Sequence, residues 1–285
     1  MAAAPSNPPA SSRPARPASP PERANPPAAA RFGPIERFAE IDSTNRYLLD
    51  AAVAGRRSAG AVAVADRQTA GRGRLGRTWT APPGGSLLVS VLLGAPANPN
   101  ERHLLTLSAG IAAAEAVTTL TDGHVAPRLK WPNDLVVDDR KLAGVLAESV
   151  GGHVVVGMGL NIDWPGVPDE LIGIATALNL AGAVPPPTRD SVLDLWLDRW
   201  HGWLAVAEAP AGPERVVAAA TRLSATIGSS VRVELASERF EGLAERITDA
   251  GHLVVVTDAG PREVSAGDVV HLRPRSAGGL PDSHG

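Results

Sequence analysis

The sequence predicts an α+β protein in which helices pack on a β-sheet and a second, small all-β unit follows. Short apolar runs of strand length alternate with longer stretches of helical period as far as about residue 223. Beyond that point only short strands remain, at even spacing and separated by Gly or Asp turns. A third observation points toward chemistry. Of 27 basic residues only Lys130 and Lys141 are lysines, and both fall in one segment, LKWPNDLVVDDRKLAGVLAES.

The first 30 residues are Pro, Ala and Ser with scattered Arg and no apolar periodicity. Such a stretch buries too little surface to offset its ordering entropy, so a disordered extension is expected over 1–30. Asp42-Ser43-Thr44-Asn45 before Tyr47, Leu48 and Leu49 reads as a helix start with a short polar cap. Residues 62–65 form an apolar run of strand length, which feeds into a Gly/Arg-rich loop over 68–79. Pro82-Pro83-Gly84-Gly85 is a turn, and Ser86–Leu93, rich in Leu and Val, is an interior strand. Residues 100–120 carry apolar side chains at a 3.6 period and predict a long helix against the sheet. Residues 135–137, the polar Asp138-Asp139-Arg140 turn and residues 142–147 predict a β-hairpin, and 154–158 a further strand ending in Gly157-Met158-Gly159-Leu160-Asn161. Residues 191–207 and 214–223 predict helices. Residues 231–235, 240–247, 252–257 and 269–272 are the strands of the small β unit. The expected division is 1–30 extension, 31–221 main domain, 222–275 small β domain and 276–285 tail.

Composition narrows the functional classes. The apolar runs are shorter than the roughly 20 residues of a membrane span, so no span is expected. A net charge of −3 opposes a nucleic-acid binder acting through a global positive field. With no cysteine there is no disulfide, thiolate metal site or cysteine nucleophile, which suits the cytoplasm.

Gly71-Arg72-Gly73-Arg74-Leu75-Gly76-Arg77-Thr78-Trp79 combines a backbone free to approach a ligand with three guanidinium groups suited to carboxylate and phosphate oxygens. It lacks the GxxxxGK[ST] pattern of a P-loop and the spacing of a dinucleotide fingerprint. A lysine, unlike arginine, offers a compact charge that reaches one oxygen at close range. Lys130 and Lys141 beside three arginines suit a reaction that joins a carboxylate to the α-phosphorus of ATP. There, cations offset the repulsion of two anions and stabilise the charge that builds on phosphorus. Asn133 and Asp134 are hard oxygen donors of the kind that hold Mg²⁺ on a nucleotide; the same Trp131-Pro132-Asn133-Asp134 also reads as a strand-entry turn.

With these residues in view, the chain resembles the biotin protein ligases, also called biotin–acetyl-CoA-carboxylase ligases, over residues 31–273. Five motifs carry the likeness in one order: Ser43-Thr44-Asn45, the loop from Gly71 to Trp79, Lys130-Trp131-Pro132-Asn133-Asp134, Arg140-Lys141-Leu142-Ala143-Gly144, and Gly157-Met158-Gly159-Leu160-Asn161. The resemblance implies a class II synthetase-like core with a mixed sheet and packed helices, and a C-terminal SH3-like barrel. It implies ATP and biotin as substrates and Mg²⁺ as cofactor: biotin is activated as biotinyl-5′-AMP, then passed to a lysine of a biotin carboxyl carrier domain. By position in the motifs, Ser43, Thr44, Asn45 and Gln68 would meet the ureido head of biotin, and Gly144, Gly157 and Gly159 would admit it by close backbone approach. Arg72, Gly73 and Arg74 would fold over biotin and adenylate. Arg77, Trp79, Lys130, Asn133 and Asn161 would serve the nucleotide, and Asn133 and Asp134 the magnesium. Lys141, Arg74 and Arg72 would carry catalysis, with Lys141 on both carboxylate and phosphate.

The bifunctional members carry an N-terminal DNA-binding domain where this sequence has its Pro/Ala stretch, so a monofunctional enzyme without DNA or membrane partners is expected, with a homodimer left open. Two other readings stand beside it: a lipoate or octanoyl ligase on the same fold, and an RNA-binding module built on the Arg-rich loop and small barrel.

Overall fold

The computed structural model describes residues 1, 32–94, 102–235, 237–265 and 267–272. The extension expected over 1–30 and the tail expected over 276–285 lie outside the described residues, Met1 apart. Two sheets organise the chain. The larger has seven strands in the order β1-β2-β3-β7-β6-β5-β4, formed by β1 (Ile35–Ile41), β2 (Val62–Gln68), β3 (Ser86–Leu93), β4 (Arg128–Lys130), β5 (Asp134–Val137), β6 (Arg140–Val150) and β7 (His153–Asn161). Strands β1 and β2 run parallel and all other neighbours antiparallel, so the sheet is mixed.

Alternation along the strands assigns the two faces. Val62 and Val64, Leu87, Val89 and Val91, and Val154, Val156, Met158 and Leu160 join the main core. That core packs against α2 (Arg102–Leu120), α3 (Arg189–Glu208) and α4 (Gly212–Leu223). The intervening positions, Ala63, Leu92 and Val155, meet Leu48, Leu49 and Ala52 of α1 (Thr44–Val53) on the opposite face. Helix α1 starts where its cap signal predicts: Ser43 is extended and its Oγ accepts from Arg46 N at 3.4 Å.

Helix α2 departs from the expected one-sided pattern. Residues Leu107 to Ala114 are all buried, because the sheet lies on one side and α3 on the other. Tryptophans of α3 fasten it, with Trp196 Nε1 donating to Ala109 O at 3.0 Å and Trp200 Nε1 to Ser108 Oγ at 3.0 Å. By length and composition alone α2 would suffice to cross a membrane, an apolarity that the sequence reading passed over; here it is the central core helix.

The second sheet has five antiparallel strands in the order β11-β10-β9-β8-β12. They are β8 (Ser230–Glu234), β9 (Arg239–Ile247), β10 (Leu253–Thr257), β11 (Gly260–Val264) and β12 (Asp268–His271). This is the small β unit expected after the helices. It closes on the main domain through Trp131, whose Nε1 donates to Gly251 O at 2.9 Å and whose N donates to Thr226 Oγ1 at 3.0 Å. Three strands escape the sequence reading. Strands β1 and β11 are sheet edges whose charged residues blur the apolar run, and β4 has only three residues.

Candidate functional site

The α1 face of the large sheet is left bare at its centre. Pairing sets Ser90 of β3 opposite Gly157 of β7 and Gly157 opposite Leu146 of β6; one row on, Leu88, Gly159 and Gly144 align. Three glycines in two adjoining rows remove the side chains that would cover the sheet. A cavity of about 130 Å³ opens over them, bounded by the start of α1, the 71–79 loop and the β5–β6 hairpin.

At one end the wall is polar and neutral. Thr44 N and Thr44 Oγ1 both donate to Gln68 Oε1, at 2.8 and 3.0 Å. Ser90 Oγ lies 2.7 Å from Thr44 Oγ1 and 2.6 Å from Asn45 Oδ1, so its single hydrogen serves one of them at a time. Asn45 Nδ2 donates to Leu146 O at 3.3 Å and to Glu148 Oε2 at 2.8 Å. Both amide hydrogens are committed, which turns Oδ1 toward Gly157 and the cavity. Such a set of short donors and acceptors suits a compact polar head group.

At the other end the wall is charged. Lys141 Nζ sits 2.8 Å from Asp134 Oδ1 and 5.3 Å from the centre of the Trp79 ring. The indole lies flat over the bare sheet: a Cβ added to Gly159 would meet it at 2.4 Å, and one added to Gly144 at 3.1 Å. Its Nε1 is buried without a hydrogen-bond partner, at a cost of about 1–3 kcal/mol that an acceptor on a ligand would relieve.

The Gly/Arg loop roofs this end as a β-bridged flap, with Arg72 paired to Thr78 and a 3₁₀ turn over Arg74–Gly76 at its tip. Its three guanidinium groups have different partners. Arg72 Nη1 lies 3.1 Å from Glu148 Oε1. Arg74 Nη1 donates to Asn133 Oδ1 at 3.2 Å and to Gly267 O at 3.3 Å, while Arg77 is paired with Asp268 of β12. Burial pulls the Arg74 guanidinium below its usual value, opposed by Asp268 and Asp134; arginine nonetheless stays charged in a protein.

Most residues expected from the sequence meet in this cavity: Ser43, Thr44, Asn45, Gln68, Arg72, Gly73, Arg74, Arg77, Trp79, Asn133, Asp134, Lys141, Gly144, Gly157 and Gly159 all line it. Two do not. Lys130 is paired with Asp134 across the hairpin, on the face of the sheet opposite to the core residue Leu129, but is not among the residues that line the cavity. Asn161 is buried behind the cavity, where it accepts from Ser86 Oγ at 3.2 Å and donates to Thr176 O at 2.9 Å. Of the two lysines, only Lys141 lines the cavity.

The magnesium expectation falls on Asn133 and Asp134, which both line the cavity. Asn133 Oδ1 faces Arg74, the nearer Asp134 oxygen faces Lys141, and the described residues contain no cluster of three metal-binding acids or histidines. One carboxylate and one amide suit magnesium only together with the phosphates of a nucleotide. Conversely, sequence reasoning missed Ser90 and Glu148. The only polar residue inside the apolar run of β3, apart from its first, is Ser90, and that break in pattern was the available signal.

Comparison with known proteins follows the same residues. A profile described as the biotin/lipoate A/B protein ligase family matches residues 38–163, and one described as the biotin protein ligase C terminal domain matches 226–272. The biotin–[acetyl-CoA-carboxylase] ligase of Mycobacterium tuberculosis is 39% identical over 240 residues, which cover 82% of this chain and 88% of that protein. The bifunctional ligase/repressor BirA of Escherichia coli is 39% identical over 145 residues, covering 49% of this chain and 44% of that one. Among solved structures, the biotin protein ligase of Aquifex aeolicus in complex with biotin and ATP superposes with a TM-score of 0.74 at 29% identity, over 85% of this chain and all of that one.

Proposed function

The chain belongs to the biotin/lipoate A/B protein ligase family, and from that premise we propose how its cavity activates biotin with ATP and hands it to a carrier lysine. Lys141 carries the reading: an ammonium held 2.8 Å from a carboxylate oxygen, under a flap of three arginines, in the same cavity as a neutral polar pocket. A carboxylate-bearing molecule with a polar head spans those two ends.

Ser43, Thr44, Asn45 and Gln68 bind the ureido head, over the floor left by Gly157 and Gly159. Its valeryl chain runs toward Gly144. The carboxylate exchanges with Asp134 for Lys141, and the phosphates of ATP enter under Arg72, Arg74 and Arg77 with the adenine near Trp79. A carboxylate oxygen of biotin attacks the α-phosphorus, the bond to the β-phosphate oxygen breaks, and pyrophosphate departs. Lys141, Arg72 and Arg74 gather the charge that builds on the non-bridging oxygens, an electrostatic effect strengthened where the flap excludes water. The amine of a carrier lysine then attacks the acyl carbon, loses its proton and displaces AMP. No step relies on a metal held by Asn133 and Asp134; magnesium accompanies the nucleotide.

The partner is a biotin carboxyl carrier domain of a carboxylase. The domain division at 31–221 and 222–275 belongs to the same proposal, with α4 ending at Leu223 and β8 starting at Ser230. The test is biotin-dependent ATP–pyrophosphate exchange with magnesium, run beside lipoate, followed by labelling of a carrier domain. Exchange and labelling with biotin are expected; exchange with lipoate alone would move the assignment to the other branch of the family. No exchange with either acid would reject it.

A further inference from the structure

Glu148 lies outside the residues that touch the substrate space, yet it holds two of them. Its Oε2 accepts from Asn45 Nδ2 at 2.8 Å, and its Oε1 lies 3.1 Å from Arg72 Nη1. The carboxylate is largely sheltered, with 19% of its side chain exposed against 48% for Arg72. It stands on β6 two residues beyond Leu146, so strand alternation aims it at the same face as the cavity floor. Glu148 lines the open cleft on the outer side of the flap, and Arg72 lines both that cleft and the inner cavity. The arginine expected to meet the adenylate is therefore drawn outward, by the same carboxylate that orients the head-binding amide.

From this geometry we infer that Glu148 is a positioning residue with two separable tasks. One oxygen fixes the Asn45 amide so that Oδ1 faces the head pocket. The other parks Arg72 outside the cavity until an anion within it competes for the guanidinium. The inference rests on the functional reading above, since it takes biotin and its adenylate as the occupants. The tasks differ in what they need. Orienting Asn45 needs an acceptor, which a neutral amide supplies, whereas parking Arg72 needs the negative charge. Because Arg72 is half exposed, its pairing is worth little and is easily surrendered, as a releasable catch requires.

Glu148→Gln and Glu148→Ala separate the two tasks. Biotin affinity is measured by titration calorimetry, and adenylate affinity with a non-hydrolysable biotinyl-adenylate analogue. Glu148→Ala should weaken biotin by about tenfold or more, the equivalent of one charged hydrogen bond. Glu148→Gln should weaken it far less and should tighten the analogue by about two- to fivefold, since Arg72 no longer has to leave a carboxylate. In an Arg72→Ala background the effect of Glu148→Gln on the analogue should vanish. Thermal melting checks that each variant is folded. Equal behaviour of the Gln and Ala variants, or a Gln effect that survives loss of Arg72, would overturn the inference while leaving the ligase assignment intact. Failure of the unaltered protein to bind biotin would remove both.

Discussion

Replacing Gly157 by alanine tests the bare-floor geometry most directly. A Cβ at this position would stand 2.1 Å from Asn45 Oδ1, 2.9 Å from its Cγ and 3.1 Å from Ser90 Oγ, where ordinary contact begins near 3.4 Å. Asn45 would have to withdraw by over an ångström. It cannot do so freely, because Glu148, Leu146 O and Ser90 hold it at 2.8, 3.3 and 2.6 Å. Losing one charged and one neutral hydrogen bond costs about 2–4 kcal/mol, a fall in biotin affinity between roughly thirtyfold and several hundredfold. The assay is calorimetric titration of biotin into folded variant, with the thermal midpoint recorded alongside. A double variant sharpens the test: once Asn45→Ala has removed the obstructing amide, adding Gly157→Ala should cost little more. Wild-type biotin affinity in Gly157→Ala, or full additivity in the double variant, would refute the reasoning.

Three other outcomes follow from the site. Lys141→Arg should lower pyrophosphate exchange by more than about tenfold although charge is kept, because the slot between Asp134, Trp79 and Gly144 fits a point donor and not a planar fork; near-normal exchange would contradict this. Arg74→Gly removes the ties from the flap to Asn133 and to Gly267 O, so adenylate should escape and label bystander proteins, whereas unchanged retention would mean that the flap is no lid. Finally, burial holds His103 and His271 below the usual histidine value of 6.5. The unfolded chain then binds more protons than the folded one between the lowered values and 6.5, so stability is full above 6.5 and falls as pH drops through that window. The melting midpoint should be lower at pH 5.5 than at pH 7.5, by less in a His103→Gln variant, and a pH-independent midpoint would reject the argument.

How much of this was legible in advance depends on how local each signal is. The cap at Ser43, the Ser86–Leu93 strand, the hairpin around Asp138 and Asp139 and the Gly/Arg flap each lie within a dozen consecutive residues. Turn chemistry, apolar period and glycine spacing therefore write them into the chain. The same holds for the polar Ser43-Thr44-Asn45 group and for Lys141, whose neighbours set them apart. Strand β4 and the edges β1 and β11 were illegible because a few residues of mixed polarity carry no period.

By itself the sequence determined which residue types would meet an anionic, polar-headed substrate, and in what order they come along the chain. Only the tertiary structure decided which of them share a wall. Register across β3, β7 and β6 sets Gly144 and Gly159 beneath Trp79 and Gly157 beneath Asn45, and the pairing of β5 with β6 brings Lys141 beside Asp134 in the cavity. The pairing of Arg72 with Glu148 spans 76 positions along the chain, and that of Arg77 with Asp268 spans 191. Contacts at such separations leave no periodic trace in the chain, because they form only when distant segments are brought together by burial of a common core.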